Sequence, residues 1–225
     1  MAKTSSQFVC SECGWSGPKW LGRCPECGQW GTIEEFHEAR PSASSRTAAP
    51  GRTSRTLSHA VPDSAAKPIT EISTENISRI DTGFTEFNRV LGGGIVPGSV
   101  TLIAGEPGIG KSTLTLQTLL ATDRKVLYVS GEESPQQIKM RALRIAETIP
   151  DNIVILSETS VEKIFSCIKD VKPELLVVDS IQTVATETVA SSAGSITQIR
   201  ESAAALLQLA KSSDIPVILI GHINK

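Results

Sequence analysis

The chain has 225 residues, with 22 Lys+Arg against 24 Asp+Glu for a net charge of −2, and is 40% hydrophobic and 20% charged. That composition builds a globular core of one to one and a half domains and excludes a wholly disordered, collagen-like or mucin-like chain. With near-zero net charge, any nucleic-acid contact must come from local patches; with no apolar run of about 18 residues and no apolar leader, the chain is expected to be cytoplasmic and off the membrane.

Residues 1–39 hold four of the five cysteines and all three tryptophans. Cys10 and Cys13 form one C-x-x-C knuckle, Cys24 and Cys27 a second. Four thiolates from two knuckles suit a closed, tetrahedral, structural Zn²⁺ site, with no open position for catalysis. Gly14 and Gly28 follow the knuckles and permit their tight turns. A module of about 40 residues needs such a staple. Two disulfides or a redox pair are the alternatives, and a reducing compartment disfavours the disulfides. Trp15, Trp20 and Trp30 are expected to pack the small core rather than stack on bases.

Residues 40–69 carry Arg40, Arg46, Arg52, Arg55 and Lys67 against a single acid, Asp63, among Ser, Ala and Pro, without an aromatic. Such a stretch cannot bury enough apolar surface to offset its ordering entropy and is expected to be a flexible basic linker.

Residues 70–225 alternate short apolar runs with amphipathic stretches, the pattern of a parallel sheet covered on both faces with right-handed crossovers. The first expected strand, Val100–Ala104, leads into Gly105, Glu106, Pro107, Gly108, Ile109, Gly110, Lys111 and Ser112, which match G-x-x-x-x-G-K-[ST]. The glycines let backbone N–H groups turn inward onto phosphate oxygens, and the following helix, Lys111–Ala121, adds its positive end. Lys111 is expected to reach the β- and γ-phosphates from a solvent-filled loop, Ser112 to ligate Mg²⁺, and Thr113 to approach the α-phosphate. A strand over Val126–Ser130 then runs into Gly131, Glu132, Glu133 and Ser134. A carboxylate there suits activation of an attacking water; Glu132 is placed first and Glu133 second, since Glu133 can instead serve the dipole of the helix Pro135–Ala146.

A strand over Ile153–Leu156 and a helix over Val161–Lys169, carrying Cys167 as an inert thiol, precede the strand Leu175–Asp179. That buried run delivers Asp179 to the carboxyl edge beside the phosphate loop, where a carboxylate holds the water shell of Mg²⁺. Thr183–Gly194 is small, polar and aperiodic, and is expected to be a mobile loop. A helix over Ser195–Lys211 and a strand over Val217–Ile220 follow, and His222 at its exit either senses the γ-phosphate or caps the strand.

Taken together, the four-cysteine module, the basic linker and the runs LGGGIVPGSVTLIAGEPGIGKSTL, YVSGEES and LLVVDSIQT resemble the bacterial RadA (Sms) family of DNA-repair proteins over the whole chain. The resemblance implies a RecA-like P-loop ATPase core behind a C4 zinc finger, with zinc on Cys10, Cys13, Cys24 and Cys27, ATP on Gly105–Ser112, and Asp179 and Glu132 serving Mg²⁺ and water. It also implies a DNA-stimulated, DnaB-like homo-hexamer that acts on single-stranded and branched DNA and promotes branch migration in strand exchange by the RecA recombinase. KaiC-like signalling ATPases share the glycine run and the paired glutamates but lack the zinc knuckles; a nucleotide-switched zinc adaptor is the non-enzymatic alternative. The family continues beyond GHINK with a K-N-R-F-G motif and a Lon-protease-like domain. On that resemblance this chain is expected to be a shortened version: its sheet ends on Val217–Ile220 as an exposed edge, and it turns ATP over slowly.

Overall fold

The computed structural model describes residues 7–12, 14–36, 66, 68–71, 78–189 and 191–223. The linker expected over 40–69 lies outside them apart from residues 66, 68 and 69. The chain divides into two compact units, the main division falling at Thr74/Glu75.

The smaller unit is built on a three-stranded antiparallel sheet in the order β2–β1–β3, from β1 (Gln7–Cys10), β2 (Ser16–Gly17) and β3 (Ile33–Phe36). Cys10 and Cys24 are buried with Ile33, a very small core for an independent unit. Gly14 and Gly28 both stand at positive φ, as the tight knuckle turns require. The tryptophans depart from expectation. Trp15 lies against Gly17, where an added Cβ would come within 2.5 Å of the indole, but Trp20 and Trp30 are 59% and 74% exposed. Trp20 is held at the surface by its indole N–H, which donates to the Ile33 carbonyl at 2.9 Å, and Arg23 lies over the Trp30 ring. A core this small has no room for three indoles.

In the larger unit, α1 (Thr85–Val90) is followed by β4 (Val100–Gly105), α2 (Lys111–Ala121), β5 (Val126–Ser130), α3 (Pro135–Ile145), β6 (Ile153–Ser157), α4 (Val161–Val171), β7 (Leu175–Asp179), α5 (Ile196–Ser213) and β8 (Val217–His222). The five strands pair in parallel in the order β4–β8–β7–β5–β6. Alternation splits the side chains between two faces. Val126, Tyr128, Leu175, Val177, Ile218 and Ile220 meet Leu116, Leu119 and Ile138 of α2 and α3. Leu127, Val129, Leu176, Val178, Val217 and Leu219 meet Val161, Ile164 and Leu206 of α4 and α5. The α/β class is therefore as expected: a parallel sheet between two helical layers.

Three of the helices, α3, α4 and α5, start where side chains cap their free N–H groups. Ser134 and Gln137 form a capping box ahead of Pro135, and Ser160 and Ser195 cap α4 and α5. Two expectations are corrected. Val217–Ile220 is not an edge: β8 inserts between β4 and β7 and all four residues are buried. Among the described residues the open edges are β4, with Leu102 60% exposed, and β6. Nor is the segment after β7 a loose loop. Val184 and Thr186 are buried, and the buried Gln198 amide accepts from Thr186 N and donates to the carbonyls of Thr186, Val189 and Ser191. Satisfied backbone, not periodicity, orders this stretch. Cys167 is half-buried against the α4–α5 core.

Candidate nucleotide site and metal centre

Four parallel strands end side by side, and each delivers one of the expected groups to the carboxyl edge of the sheet. At β4 the loop Gly105–Gly110 turns into α2, with Gly108 at φ 82° and Gly110, its N-cap, at φ 93°. A Cβ added at either glycine would meet no atom within 4 Å, so it is their left-handed backbone, not crowding, that calls for glycine there. Glu106, Pro107, Gly108 and Ile109 are exposed, while Ser112 and Thr113 are half-buried in the first turn of α2. Lys111 departs from expectation. It is 7% exposed, and its Nζ donates to the carbonyls of Gly105 at 2.9 Å and Glu106 at 2.8 Å. The ammonium folds back onto its own loop because those carbonyls are the acceptors within reach.

Asp179 ends β7 on the α2–α3 face and is 7% exposed. The Tyr128 hydroxyl donates to its Oδ2 at 2.5 Å. Burial and the neighbouring Asp179 carboxylate push the Tyr128 phenol far above its ordinary value, so it stays protonated and donates to Asp179. Glu132, two residues beyond β5, accepts from the Ser180 hydroxyl at 2.8 Å, and His222 Nε2 stands 3.6 Å from the same oxygen. His222 ends β8 in register with Gly105, and its neighbour Ile223 donates N–H to the Gly105 carbonyl at 3.1 Å. Glu132 thus leans from β5 across β7 and β8 towards the phosphate loop. Glu133 points elsewhere and pairs with Arg141 of α3. The two glutamates, equivalent by composition, are separated by the direction the chain takes as it leaves β5.

The site also uses residues that sequence reasoning missed: Tyr128, Arg141 and Ser180. Tyr128 sits inside an apolar run and reaches a partner 51 residues away, so no local spacing announces it. Ser180 carried a weak signal, since it directly follows the strand's acid.

The Ser112 hydroxyl and the Asp179 carboxylate are hard oxygens of the kind Mg²⁺ takes. In the N-terminal unit the sulfurs of Cys10, Cys24 and Cys27 lie within 4.8 Å of one another, and Cys10 Sγ is 3.7 Å from Cys27 Sγ. A tetrahedron with metal–sulfur bonds of about 2.3 Å has edges of about 3.8 Å, so this separation fits a shared Zn²⁺. None of the three is in a disulfide. Cys13, the fourth expected ligand, lies outside the described residues.

Residues 65–225 match the family model described as AAA domain. The chain belongs to that family. Ahead of the AAA domain, residues 8–35 match a model described as a rubredoxin metal binding domain, which agrees with the cysteine cluster. Over its whole length the chain is similar to proteins named DNA repair protein RadA: 45% identical over 227 residues to that of Listeria monocytogenes EGD-e, 46% over 229 to that of Bacillus subtilis 168 and 45% over 229 to that of Pseudomonas aeruginosa PAO1. It covers 47%, 48% and 48% of these relatives, and so spans about half their length. The expected order of a zinc module ahead of a RecA-like ATPase core agrees with both matches. Among the described residues no helix is long and apolar enough to cross a membrane.

Proposed function

We propose that the chain is the nucleotide-hydrolysing core of a DNA-dependent ATPase of DNA repair. The observation that carries this is the row of groups at one sheet edge: the Lys111 loop, His222, Asp179 and Glu132, supplied by β4, β8, β7 and β5 in spatial order. Lys111 leaves its carbonyl partners for the β- and γ-phosphates, whose charge is the stronger acceptor. Ser112 and Asp179 hold Mg²⁺ and its waters, and that ion, when bound, neutralises charge on the phosphates. Glu132, oriented by Ser180, takes the proton of the attacking water. Glu133 keeps Arg141 in place.

The likeness to RadA proteins supports the wider role. The ATPase processes single-stranded and branched recombination intermediates, stimulates branch migration in RecA-mediated strand exchange, and works as a hexamer. A neighbouring subunit supplies positive charge to the γ-phosphate, a contribution worth about 10³–10⁵ in rate for an arginine finger. In the RadA family that charge is expected from beyond GHINK, so the 225 residues alone bind Mg²⁺–nucleotide weakly and turn over slowly. The domain plan is a C4 finger over 1–39, a basic linker over 40–69 and the ATPase over 70–225.

The test is ATP turnover with and without single-stranded DNA, on this chain and on a form extended to the relatives' length. DNA-stimulated turnover in the extended form alone is expected. Turnover indifferent to DNA points instead to a KaiC-like signalling ATPase. Nucleotide binding without turnover in either form makes the protein a nucleotide-switched adaptor. Full DNA-stimulated turnover in the 225 residues means the active site is already complete within them.

A further inference from the structure

Behind Asp179 lies a chain of contacts that the hydrolytic set does not use. Glu133, just past β5, pairs with Arg141 on α3. The positive charge of Arg141 in turn stands near the Tyr128 phenol, and Tyr128 donates its hydroxyl proton to Asp179 Oδ2. Tyr128 is 0% exposed, and the Arg141 side chain is only 18% exposed. The phenol has a single proton and Arg141 offers no acceptor, so that proton is directed at the carboxylate. Oδ2 is thereby engaged, and the carboxylate plane is fixed with Oδ1 as the oxygen left to meet a metal-bound water. The geometry is diagonal across neighbouring strands: Tyr128 pairs with Val177 and Ser130 with Asp179, so the ring reaches forward two positions on the α2–α3 face.

We propose that Tyr128, anchored through Arg141 by Glu133, is a positioning residue that sets the orientation of Asp179 towards Mg²⁺. This rests on the assignment of Asp179 to Mg²⁺ above. It gives the second glutamate a task distinct from base catalysis: it fixes the cation that fixes the phenol. It also couples α3 to the metal side of the site through side chains alone, since α3 itself supplies no group to the edge.

The experiment is equilibrium binding of a fluorescent ADP to the 225-residue chain, in Mg²⁺-free buffer and at saturating Mg²⁺. The readout is the gain in affinity that Mg²⁺ confers, which a purely structural role for the tyrosine would leave unchanged. Asp179→Asn is expected to lose the gain. Tyr128→Phe is expected to keep the Mg²⁺-free affinity and cut the gain about tenfold or more, the scale of a lost hydrogen bond to a charged group. Arg141→Gln, which keeps the phenol but frees it, is expected to show a smaller cut in the same direction. If Asp179→Asn loses the gain while Tyr128→Phe keeps it, even with a lowered melting temperature, the positioning role is wrong and the Asp179 assignment stands. If Asp179→Asn keeps the gain, both fall. Should Tyr128→Phe fail to fold, Arg141→Gln carries the test, and an unchanged gain there overturns the proposal.

Discussion

The sharpest perturbation of the site is the pair Glu132→Gln and Glu133→Gln, because adjacent residues with the same side chain should fail in opposite ways. Glu132 faces Ser180 and His222 at the strand ends, with 46% of its side chain exposed. An amide there keeps the size and still accepts from Ser180, but it cannot take a proton from water. General-base loss costs about 10²–10⁴ in rate, or about 3–5 kcal/mol of barrier. ATP affinity and melting temperature should stay near those of the parent. Glu133 is 37% exposed and its partner Arg141 18%, so their ion pair lies between the surface and buried limits. Its loss is worth about 1–2 kcal/mol after solvent screening, or roughly 2–8 °C in melting temperature for a protein of this size. Turnover should fall less than about tenfold, and only through Arg141 and Tyr128. The assay is steady-state ATP hydrolysis by a DNA-responsive form, beside ATP binding and thermal melting of each variant. If Glu133→Gln silences turnover with ATP still bound, while Glu132→Gln merely loses stability, the reasoning from side-chain direction is refuted.

Other outcomes follow from single contacts. Lys111→Ala should abolish hydrolysis and weaken ATP binding. It should also lower the melting temperature of the nucleotide-free protein slightly, because the carbonyls of Gly105 and Glu106 lose their donor; unchanged turnover by an active form would sink the cradle assignment. Metal analysis should find one zinc per chain, and Cys10→Ser or Cys27→Ser should lower it and melt the N-terminal unit while ATP binding persists; two disulfides under reducing conditions would contradict this. Glu162 is pulled upward by burial, yet hydrogen bonds from Thr186, its own backbone N–H, Glu187 and Ser160 hold it below the usual carboxylate range. A folded-state pKa below the unfolded one contributes stability above the unfolded value and loses it as pH falls through the folded one. Glu162→Gln should therefore cost roughly 0.5–1 kcal/mol near neutral pH after screening, a gap to the parent that closes below about pH 4; a gap that widens on acidification would show the sign to be wrong.

All five parallel strands and the four long helices were legible as apolar runs of strand length alternating with amphipathic stretches. The glycines of the phosphate loop marked the end of β4 and the start of α2, whereas the Ser134, Ser160 and Ser195 caps emerge only in the fold. The short elements were not. The strands β1–β3 have two to four residues each, too few for a period to show, and α1 has six. The phosphate loop could be read because its chemistry is contiguous. The place of Asp179 at the sheet edge could be read because an apolar run ends in it. Tyr128 and Arg141 could not, since their roles exist only once β5, β7 and α3 are packed together. That Glu132 and Glu133 face different neighbours could not be read, since it shows only in the Arg141 pairing of Glu133 and the Ser180 bond of Glu132.

The misplaced edge strand has a physical cause. Right-handed crossovers constrain the hand of each connection, but not whether the last strand adds outside the sheet or inserts within it. Insertion wins here because Val217, Ile218, Leu219 and Ile220 are apolar on both faces. Only an interior position buries both, with Ile218 and Ile220 on the α2–α3 side and Val217 and Leu219 on the α4–α5 side. β4, half-exposed along its length, can bear the edge. The insertion also spaces the chemistry. It sets β8 between the strand that leads into Lys111 and the strand that ends in Asp179, and so places His222 beside Gly105 and within reach of Glu132. Had β8 added outside β4, the phosphate loop would adjoin Asp179 directly and Glu132 would keep Ser180 but lose His222 as a neighbour. The apolar pattern that fixes where the last strand sits is therefore also what sets His222 at the sheet edge between the Lys111 loop and Asp179.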